Sequence, residues 1–351
     1  MSPTPDVTGV HLLGSVPLAD ADTVFRAVSR HLGPYLSRIP DGETGDRLLW
    51  APWQKAVFEA SPAFRPVGVE DPAYGNGPTS FARNSGELNT ETLGELGYAR
   101  AALHSYERLT ELRRSGQVPP DVRFQVDLPT QAAPIALLIE PTARAVVEPV
   151  YHQALLAELE EILARIPHED LAIQWDVAVE IAFLESSGRM LGGWWGPQDD
   201  LFEQITERLA VLGDTVPADV ELGYHLCYGN SHGKPFAEPK DSSLLVEVAS
   251  DLQARLRRDL DFLHLPVPRD RDDEAYFAPL AELSLPQSAD LYLGLLHLHN
   301  GLEGARKRIA AAGSVLPRFG IATHCGMGRM DPATVEDLLA LHRSVLEDSR
   351  V

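Results

Sequence analysis

The chain has 351 residues, 44% of them hydrophobic, so it is long enough for one large domain or two ordinary ones with a sizeable core. Its formal net charge of -21 gives an acidic surface that repels phosphate backbones and anionic membranes, which argues against nucleic-acid and membrane partners. No apolar run approaches the roughly 20 residues that span a bilayer, and the N-terminus lacks the basic and apolar regions of a signal peptide. The two cysteines are far apart in sequence and form no disulfide framework. We therefore predict a cytoplasmic protein.

Eight apolar segments bounded by turn residues predict strands. They lie at 7–13, 36–40, 122–126, 171–176, 220–227, 260–265, 291–296 and 319–323. Helical patterns separate most of them, as at 19–32 and 142–166, and Asp331 and Pro332 suit the N-cap and first turn of a last helix. This alternation predicts an α/β fold with a parallel sheet, and eight strands predict a single TIM (β/α)8 barrel over residues 1–351. A doubly wound sheet is the alternative, because it shows the same alternation.

The second predicted strand runs into an unusual loop at 41–47. Seven residues there contain three carboxylates, one arginine and two glycines. One interpretation is a solvated turn rich in Asp and Gly. The other is a substrate site, in which Glu43 holds a cation or a proton and Arg47 orients it.

Two connections are unusual for a simple barrel. The segment at about 48–120, after the second strand, is too long for a plain connection, which predicts an insertion that partly covers a site. It includes a loop at 71–78 and a helix at about 93–115. After the fourth strand, the segment 189–197 carries adjacent tryptophans flanked by glycines, which predicts a mobile lid or a hydrophobic plug in the barrel mouth.

A possible metal site begins at the end of the fifth strand. His225 and Cys227 are two residues apart, so on a strand both side chains point to the same face. Imidazole and thiolate are good zinc ligands, and the other cysteine, Cys325, also follows a strand. The alternative is two buried apolar cysteines beside a hydrogen-bonded histidine. The pairing favours a metal site formed by His225, Cys227 and Cys325.

A barrel would gather further polar residues around this site, because the chemistry of TIM barrels lies at the C-terminal ends of the strands. The residues that the sequence places there are Ser15, Glu43, Asp127, Asp176, His225, Cys227, His299 and Cys325. Convergence of so many polar groups at one rim is stronger evidence of a site than any single motif. We therefore include Asp127 among the predicted substrate-binding residues.

Six short motifs follow one another along the rim. They are Leu13-Gly14-Ser15, Asp41-Gly42-Glu43, Gln174-Trp175-Asp176, His225-x-Cys227, His297-Leu298-His299 and Thr323-His324-Cys325-Gly326. In order and spacing they resemble the C-terminal catalytic barrel of cobalamin-independent methionine synthase and related TIM barrels. The resemblance implies that the backbone at Gly14 and Ser15 holds a substrate amino acid, and that Glu43 and Asp176 bind its amino group.

The same resemblance implies that His225, Cys227 and Cys325 bind zinc and that His299 takes part in proton transfer. The chain departs from the family where the zinc site has a Glu, because the aligned residue here is Pro266. His264 lies two residues earlier on the same face. We predict that His264 lies near the metal while an exchangeable ligand completes the site; the alternatives are a core histidine bonded to a carbonyl, or loss of the metal.

These features predict a function. Zinc with two thiolates and an imidazole leaves a coordination position open, where a thiol would stay nucleophilic at neutral pH. We predict zinc-dependent methyl or other alkyl transfer to a small thiol or amino-acid-like substrate, with Glu43 and Asp176 anchoring its ammonium group and His299 as general acid. A lyase or decarboxylase on the same barrel, with or without metal, and a non-catalytic binding protein are the alternatives. Metal content separates the first hypothesis from the other two.

Overall fold

The computed structural model of the protein describes residues 5–70, 78–196, 200–229, 235–236 and 238–349. Of the predicted loop at 71–78 only Pro78 lies within these ranges. Pro197, the last residue of the tryptophan segment, lies outside them.

Ten strands are described. They are β1 (Asp6–Val10), β2 (Arg38–Pro40), β3 (Phe64–Glu70), β4 (Pro78–Arg83), β5 (Arg123–Pro129), β6 (Leu171–Val177), β7 (Glu221–Leu226), β8 (Phe262–Pro266), β9 (Asp290–Leu296) and β10 (Arg318–Thr323). The α-helices are α1 (Ala21–Leu32), α2 (Lys55–Ala60), α3 (Thr90–Leu93), α4 (Tyr98–Arg114), α5 (Ala132–Leu138), α6 (Arg144–Arg165), α7 (Val179–Glu185), α8 (Leu201–Gly213), α9 (Ser243–Arg255), α10 (Glu274–Phe277), α11 (Gly301–Gly313) and α12 (Val335–Asp348).

Eight of these strands form one parallel sheet, in the order β1-β10-β9-β8-β7-β6-β5-β2. A parallel bridge between Val10 and Leu36 links the two edges of the sheet. Parallel neighbours need crossover connections, and helices supply them between successive strands. The predicted α/β fold with eight parallel strands is therefore confirmed, and the curled sheet has the arrangement of a TIM-like barrel.

The outer layer follows the apolar periodicity of the helices. In α1 one apolar face, with Val24, Phe25, Val28 and Leu32, is buried, and the Asp20 side chain accepts a hydrogen bond from the Thr23 backbone N–H at 2.8 Å, which caps the helix. The long α6 buries a stripe of apolar residues and runs through Pro149 without a break. Among the described residues, no helix combines the length and the apolar character that crossing a membrane requires.

Side chains fill the interior of the curled sheet below the strand ends. The guanidinium of Arg38 lies 4.1 Å from the centre of the Phe262 ring. Glycines make room for the large rings, because a Cβ at Gly223 would lie 2.2 Å from Phe262 and one at Gly320 would lie 2.3 Å from Tyr292. The interior is thus a packed core, which confines a ligand to the strand ends.

Three local predictions need correction. The connection between β2 and β5 contains an antiparallel hairpin of β3 and β4, which sequence patterns did not predict. The predicted helix at about 93–115 begins later, as α4 at Tyr98, because Gly94 and Gly97 adopt positive φ angles of 90° and 89° and separate it from α3. The Asp331 side chain caps a short 3-10 turn at Pro332–Thr334, and α12 itself begins at Val335.

Candidate functional site

Three residues predicted as metal ligands meet where β7 and β10 end. His225 lies on β7, Cys227 directly follows that strand, and Cys325 follows β10 by two residues. One ligand atom from each lies within 4.8 Å of the other two. The two Sγ atoms are 3.6 Å apart, and the Gly229 backbone N–H lies 3.3 Å from Cys227 Sγ. The sheet thus brings together two segments separated by 98 positions in sequence.

The chemistry of this trio fits a metal ion such as zinc. Nδ1 of His225 lies 2.8 Å from Nδ1 of His264, so that side of the ring is occupied. Nε2 of His225 is buried and has no hydrogen-bond partner among the described residues. An unpaired buried ring nitrogen beside two thiols is costly in a metal-free protein, whereas one imidazole and two thiolates are a common zinc donor set.

His264 lies behind His225. Its Nε2 lies 3.0 Å from the Thr323 carbonyl oxygen, so both ring nitrogens have partners. Burial and the neighbouring imidazoles of His225 and His11 hold the pKa of His264 well below its usual value, and its ring is therefore neutral. Of the predicted alternatives, the histidine bonded to a carbonyl describes His264, which is near the trio without being one of its donors.

A hydrogen bond couples the two thiols, whose Sγ atoms are 3.6 Å apart. This bond, followed by burial, raises the pKa of Cys227 well above its ordinary value. The same bond, opposed by burial, lowers the pKa of Cys325. The two cysteines therefore titrate as a pair, and thiolate is the form that binds metals.

Three predicted carboxylates are buried and close enough to influence one another: Glu43, Asp127 and Asp176. Of these, Glu43 and Asp176 line a cavity together with the trio. Burial, followed by the charges of Asp127 and Asp176, raises the pKa of Glu43 well above its ordinary value. Burial and the charge of Asp127 raise the pKa of Asp176 as well. Among the described residues, the Glu43 carboxylate has no hydrogen-bond or ion-pair partner. Such a cluster favours a cationic ligand, because an ammonium group would compensate the buried charge.

Arg47 pairs with a carboxylate of its own loop, that of Asp41. Its guanidinium lies 2.5 Å from the Asp41 carboxylate, which also accepts hydrogen bonds from Ser105 Oγ at 2.6 Å and from the Glu43 backbone N–H at 2.8 Å. The backbone of Glu43 itself has a positive φ of 45°. Asp41 and Arg47 therefore hold the loop in shape, and the carboxylate of Glu43 is left to face the cavity.

Gly14 and Ser15 complete this side of the rim. A Cβ at Gly14 would lie 3.1 Å from Glu43 Oε2 and 3.2 Å from Asp127 Oδ2, so a glycine allows the two carboxylates to approach the backbone. The Ser15 carbonyl accepts a hydrogen bond from Met327 N–H at 2.8 Å, and its Oγ accepts one from Gly328 N–H at 3.2 Å. Ser15 thus ties the first loop to the Cys325 loop.

Sequence reasoning assigned no role to two amides that orient the carboxylates. Gln125 Nε2 donates to Asp127 Oδ1 at 2.7 Å on β5, and Gln174 Nε2 donates to Asp176 Oδ1 at 2.9 Å on β6. Gln174 Oε1 in turn lies 2.7 Å from Nε2 of His11. The available signal was the spacing Gln-x-Asp, which occurs at the ends of two neighbouring strands and puts both side chains on one face.

Two cavities meet at the cysteines. The smaller has a volume of about 60 Å³ and contains Glu43 and Asp176 together with the whole trio. Its apolar lining includes Leu48, Leu49, Trp50 and Phe236. The larger, of about 650 Å³, shares Cys227 and Cys325 with the first. Its lining includes His297, His299, His324, Arg269 and Arg271.

The histidines of the larger cavity differ in exposure. His299, the predicted general acid, is exposed on a short 3-10 turn at Leu298–Asn300. His297 is buried, and its Nε2 lies 3.0 Å from the Val267 carbonyl oxygen. Its ring stacks on His324 with ring centres 4.8 Å apart, and His324 directly precedes Cys325. Sequence reasoning preferred His299 and passed over this stacked pair.

The tryptophan segment packs against helices. Trp194 and Trp195 have ring centres 5.2 Å apart, and both make edge contacts with Phe183. Trp195 Nε1 donates to the Glu148 carboxylate at 2.9 Å. For the segment 189–197 as a whole, the roles of mobile lid or hydrophobic plug in the barrel mouth stay predictions.

The raised pKa of Asp127 predicts how stability depends on pH. Burial, opposed by the hydrogen bond from Gln125, raises this pKa from 3.8 to about 8. Between these values the folded protein keeps a proton that the unfolded chain has released, so stability falls as pH rises, by at most about 1.4 kcal/mol per pH unit. Replacing Asp127→Asn removes this loss, so the variant should gain stability over the wild type from pH 4 to pH 8.

Denaturant unfolding of the ligand-free proteins at pH 5 and pH 8 measures this gain. The control is Asp348→Asn, because Asp348 pairs with Arg306 at 2.7 Å and that pairing lowers its pKa. The control variant should not gain stability at pH 8. A difference between Asp127→Asn and wild type that stays constant over this pH range would contradict the prediction.

Comparisons with known proteins agree with the observed architecture. One solved structure, assigned as a vitamin-B12-independent methionine synthase from Listeria monocytogenes, has 15% identity and a TM-score of 0.57, over 99% of this chain and 98% of that one. A B12-independent methionine synthase from Shewanella sp. W3-18-1, solved in complex with selenomethionine, has 12% identity and a TM-score of 0.59, over 99% and 97%. No protein-family model and no curated protein matches the chain. The chain therefore shares its fold with these two proteins.

Proposed function

We propose that the protein is a zinc-dependent transferase, which moves a methyl or other alkyl group to a small thiol that also carries an amino group. One observation carries the proposal. His225, whose Nε2 is unpaired among the described residues, and both cysteines line the same small cavity as Glu43 and Asp176. A metal-binding trio beside a cation-binding cluster suits a substrate with sulfur at one end and an ammonium group at the other.

The metal would be held by His225 Nε2 and the thiolates of Cys227 and Cys325. Bound there, zinc would act as a Lewis acid that keeps a substrate thiol deprotonated at neutral pH. Three protein ligands are the number typical of catalytic zinc sites, whereas structural sites use four. This count supports a catalytic role over a structural one.

The chain's own groups bind and orient the substrate. Glu43 and Asp176 accept hydrogen bonds from its ammonium group, and Gln174 holds the Asp176 carboxylate in place. Leu48, Leu49 and Trp50 line the same cavity and exclude water from the reacting sulfur. We propose in addition that the insertion at about 48–120 partly covers this site, since these three residues belong to it.

The larger cavity takes the alkyl donor. In the transfer R–SH + CH3–X → R–S–CH3 + HX, the sulfur–carbon bond forms, the carbon–X bond breaks, and X takes up the proton that the thiol releases. His299 lines this cavity and is exposed to solvent, so it suits proton delivery to the leaving group. The two cavities share Cys227 and Cys325, so acceptor and donor would meet there.

Metal analysis and a ligand screen test the proposal together. Protein purified without chelator should carry about one zinc per chain, as one set of ligands implies. Amino acids with a thiol, thioether or selenoether, methionine and selenomethionine included, should raise its melting temperature. Ligand at about 100 times its Kd corresponds to roughly 2.7 kcal/mol of stabilisation. The N-acetyl derivatives are the matched controls, because they lack the ammonium charge. Absence of zinc, or equal stabilisation by the N-acetyl compounds, would contradict the proposal.

A further inference from the structure

We propose that His264 is a positioning residue, which fixes the tautomer of His225 so that Nε2 of His225 presents a lone pair to the two cysteines. The inference deepens the proposed function, because its consequence for metal affinity rests on the trio binding zinc. The inferred tautomer of His225 concerns the metal-free chain and can be tested without zinc.

The argument begins at the Thr323 carbonyl. A carbonyl oxygen only accepts, so Nε2 of His264, 3.0 Å away, must donate to it. A neutral imidazole carries one N–H, so Nδ1 of His264 has a lone pair. Nδ1 of His225 lies 2.8 Å from Nδ1 of His264 and must therefore carry a proton. In a neutral His225 ring Nε2 is then bare, and it is the buried nitrogen without a partner among the described residues.

Strand register holds the two rings in this arrangement. His225 on β7 and His264 on β8 are direct partners in the parallel ladder. Their ring centres lie 4.7 Å apart, and the rings are 3% and 0% exposed. Thr323, at the end of β10, also donates from Oγ1 to the Cys325 carbonyl at 2.8 Å. A continuous chain of contacts thus links the two sides of the trio through Thr323 and His264.

The opposite tautomer would not bind metal. It would place an N–H at Nε2 of His225, directed towards the cysteines, and leave no lone pair for an ion. Outer partners that fix a ligating histidine in this way typically contribute about 10–100-fold to metal affinity. His264 is not itself a donor to the metal, because both of its nitrogens are already used.

Two substitutions at His264 separate its hydrogen bond from its bulk. His264→Leu removes both contacts, whereas in His264→Asn an amide oxygen can replace Nδ1 as acceptor for His225. His342→Leu is the control, because His342 is also fully buried and bonded to a backbone carbonyl, that of Leu338 in α12. Zinc affinity, measured by chelator competition, should fall about 10–100-fold in His264→Leu, fall much less in His264→Asn, and stay unchanged in the control.

Nuclear magnetic resonance of the metal-free wild type tests the tautomer directly. With ring-nitrogen labels, assigned by comparison with His225→Gln, His225 should be protonated at Nδ1 and bare at Nε2, and His264 should show the reverse. His264→Leu should give a mixture of tautomers at His225. A wild-type His225 protonated at Nε2, or zinc affinity in His264→Leu equal to wild type, would overturn the inference. Failure of the wild type to bind zinc would instead refute the proposed function, while the tautomer measurement still decides the role of His264.

Discussion

Replacing either Cys227 or Cys325 by serine is expected to remove bound zinc from the protein. A serine hydroxyl does not ionise near neutral pH and is a poor zinc ligand. Zinc affinity should fall by more than the factor of about 10–100 that follows removal of an outer hydrogen-bond partner, because here a donor atom itself is lost. The zinc content after dialysis should fall from about one per chain to a small fraction of that in each variant, and alkyl transfer should fall with it.

The chain offers a matched control for this experiment. Met327 is a buried sulfur residue in the same loop as Cys325, but it does not line the smaller cavity. Met327→Leu should keep both the zinc content and the fold. Circular dichroism of the metal-free proteins checks that the serine variants are folded. If both serine variants bind as much zinc as wild type, the metal site is wrongly assigned.

Glu43→Gln should weaken the binding of an amine-bearing ligand by about 10–100-fold. The amide keeps the shape of the side chain but loses its charge, and a hydrogen bond to a charged group contributes about 1.5–3 kcal/mol. The variant should be at least as stable as wild type at neutral pH. Burial and the charges of Asp127 and Asp176 already disfavour the ionised form of Glu43, so its neutralisation relieves the folded state.

A second buried glutamate provides the contrast. Glu148 is also buried, but its carboxylate pairs with Arg208 at 2.5 Å and accepts from Trp195 at 2.9 Å. Glu148→Gln should therefore lower stability and leave ligand affinity unchanged, the opposite of Glu43→Gln. Calorimetric titration with methionine and thermal unfolding measure both quantities. A Glu43→Gln variant with a large loss of stability and unaltered ligand binding would show that Glu43 has a structural role.

Local patterns in the sequence were enough to predict the sheet and its rim. Apolar segments separated by helical periodicity predict parallel strands, because the apolar pattern of each segment can be recognised without knowing which other segments it packs against. Spacing places His225 and Cys227 on one face of β7, since side chains alternate along a strand. The sequence also placed Glu43 and Asp176 at strand ends, where the structure has them.

Other features depended on contacts between distant segments, and only the tertiary structure decided them. The pairing of His225 with His264 follows from the register of β7 and β8, which no spacing within either strand specifies. Asp41, rather than Glu43, binds Arg47 because of how the loop folds back on itself. The hydrogen bond between the cysteines requires two sulfurs 98 positions apart in sequence to lie 3.6 Å from each other. Sequence by itself determined which donor atoms reach the rim, since alternation along a strand is a local property. The tertiary structure decided their partners, tautomers and charges, since these depend on atoms that only the folded chain brings within hydrogen-bond distance.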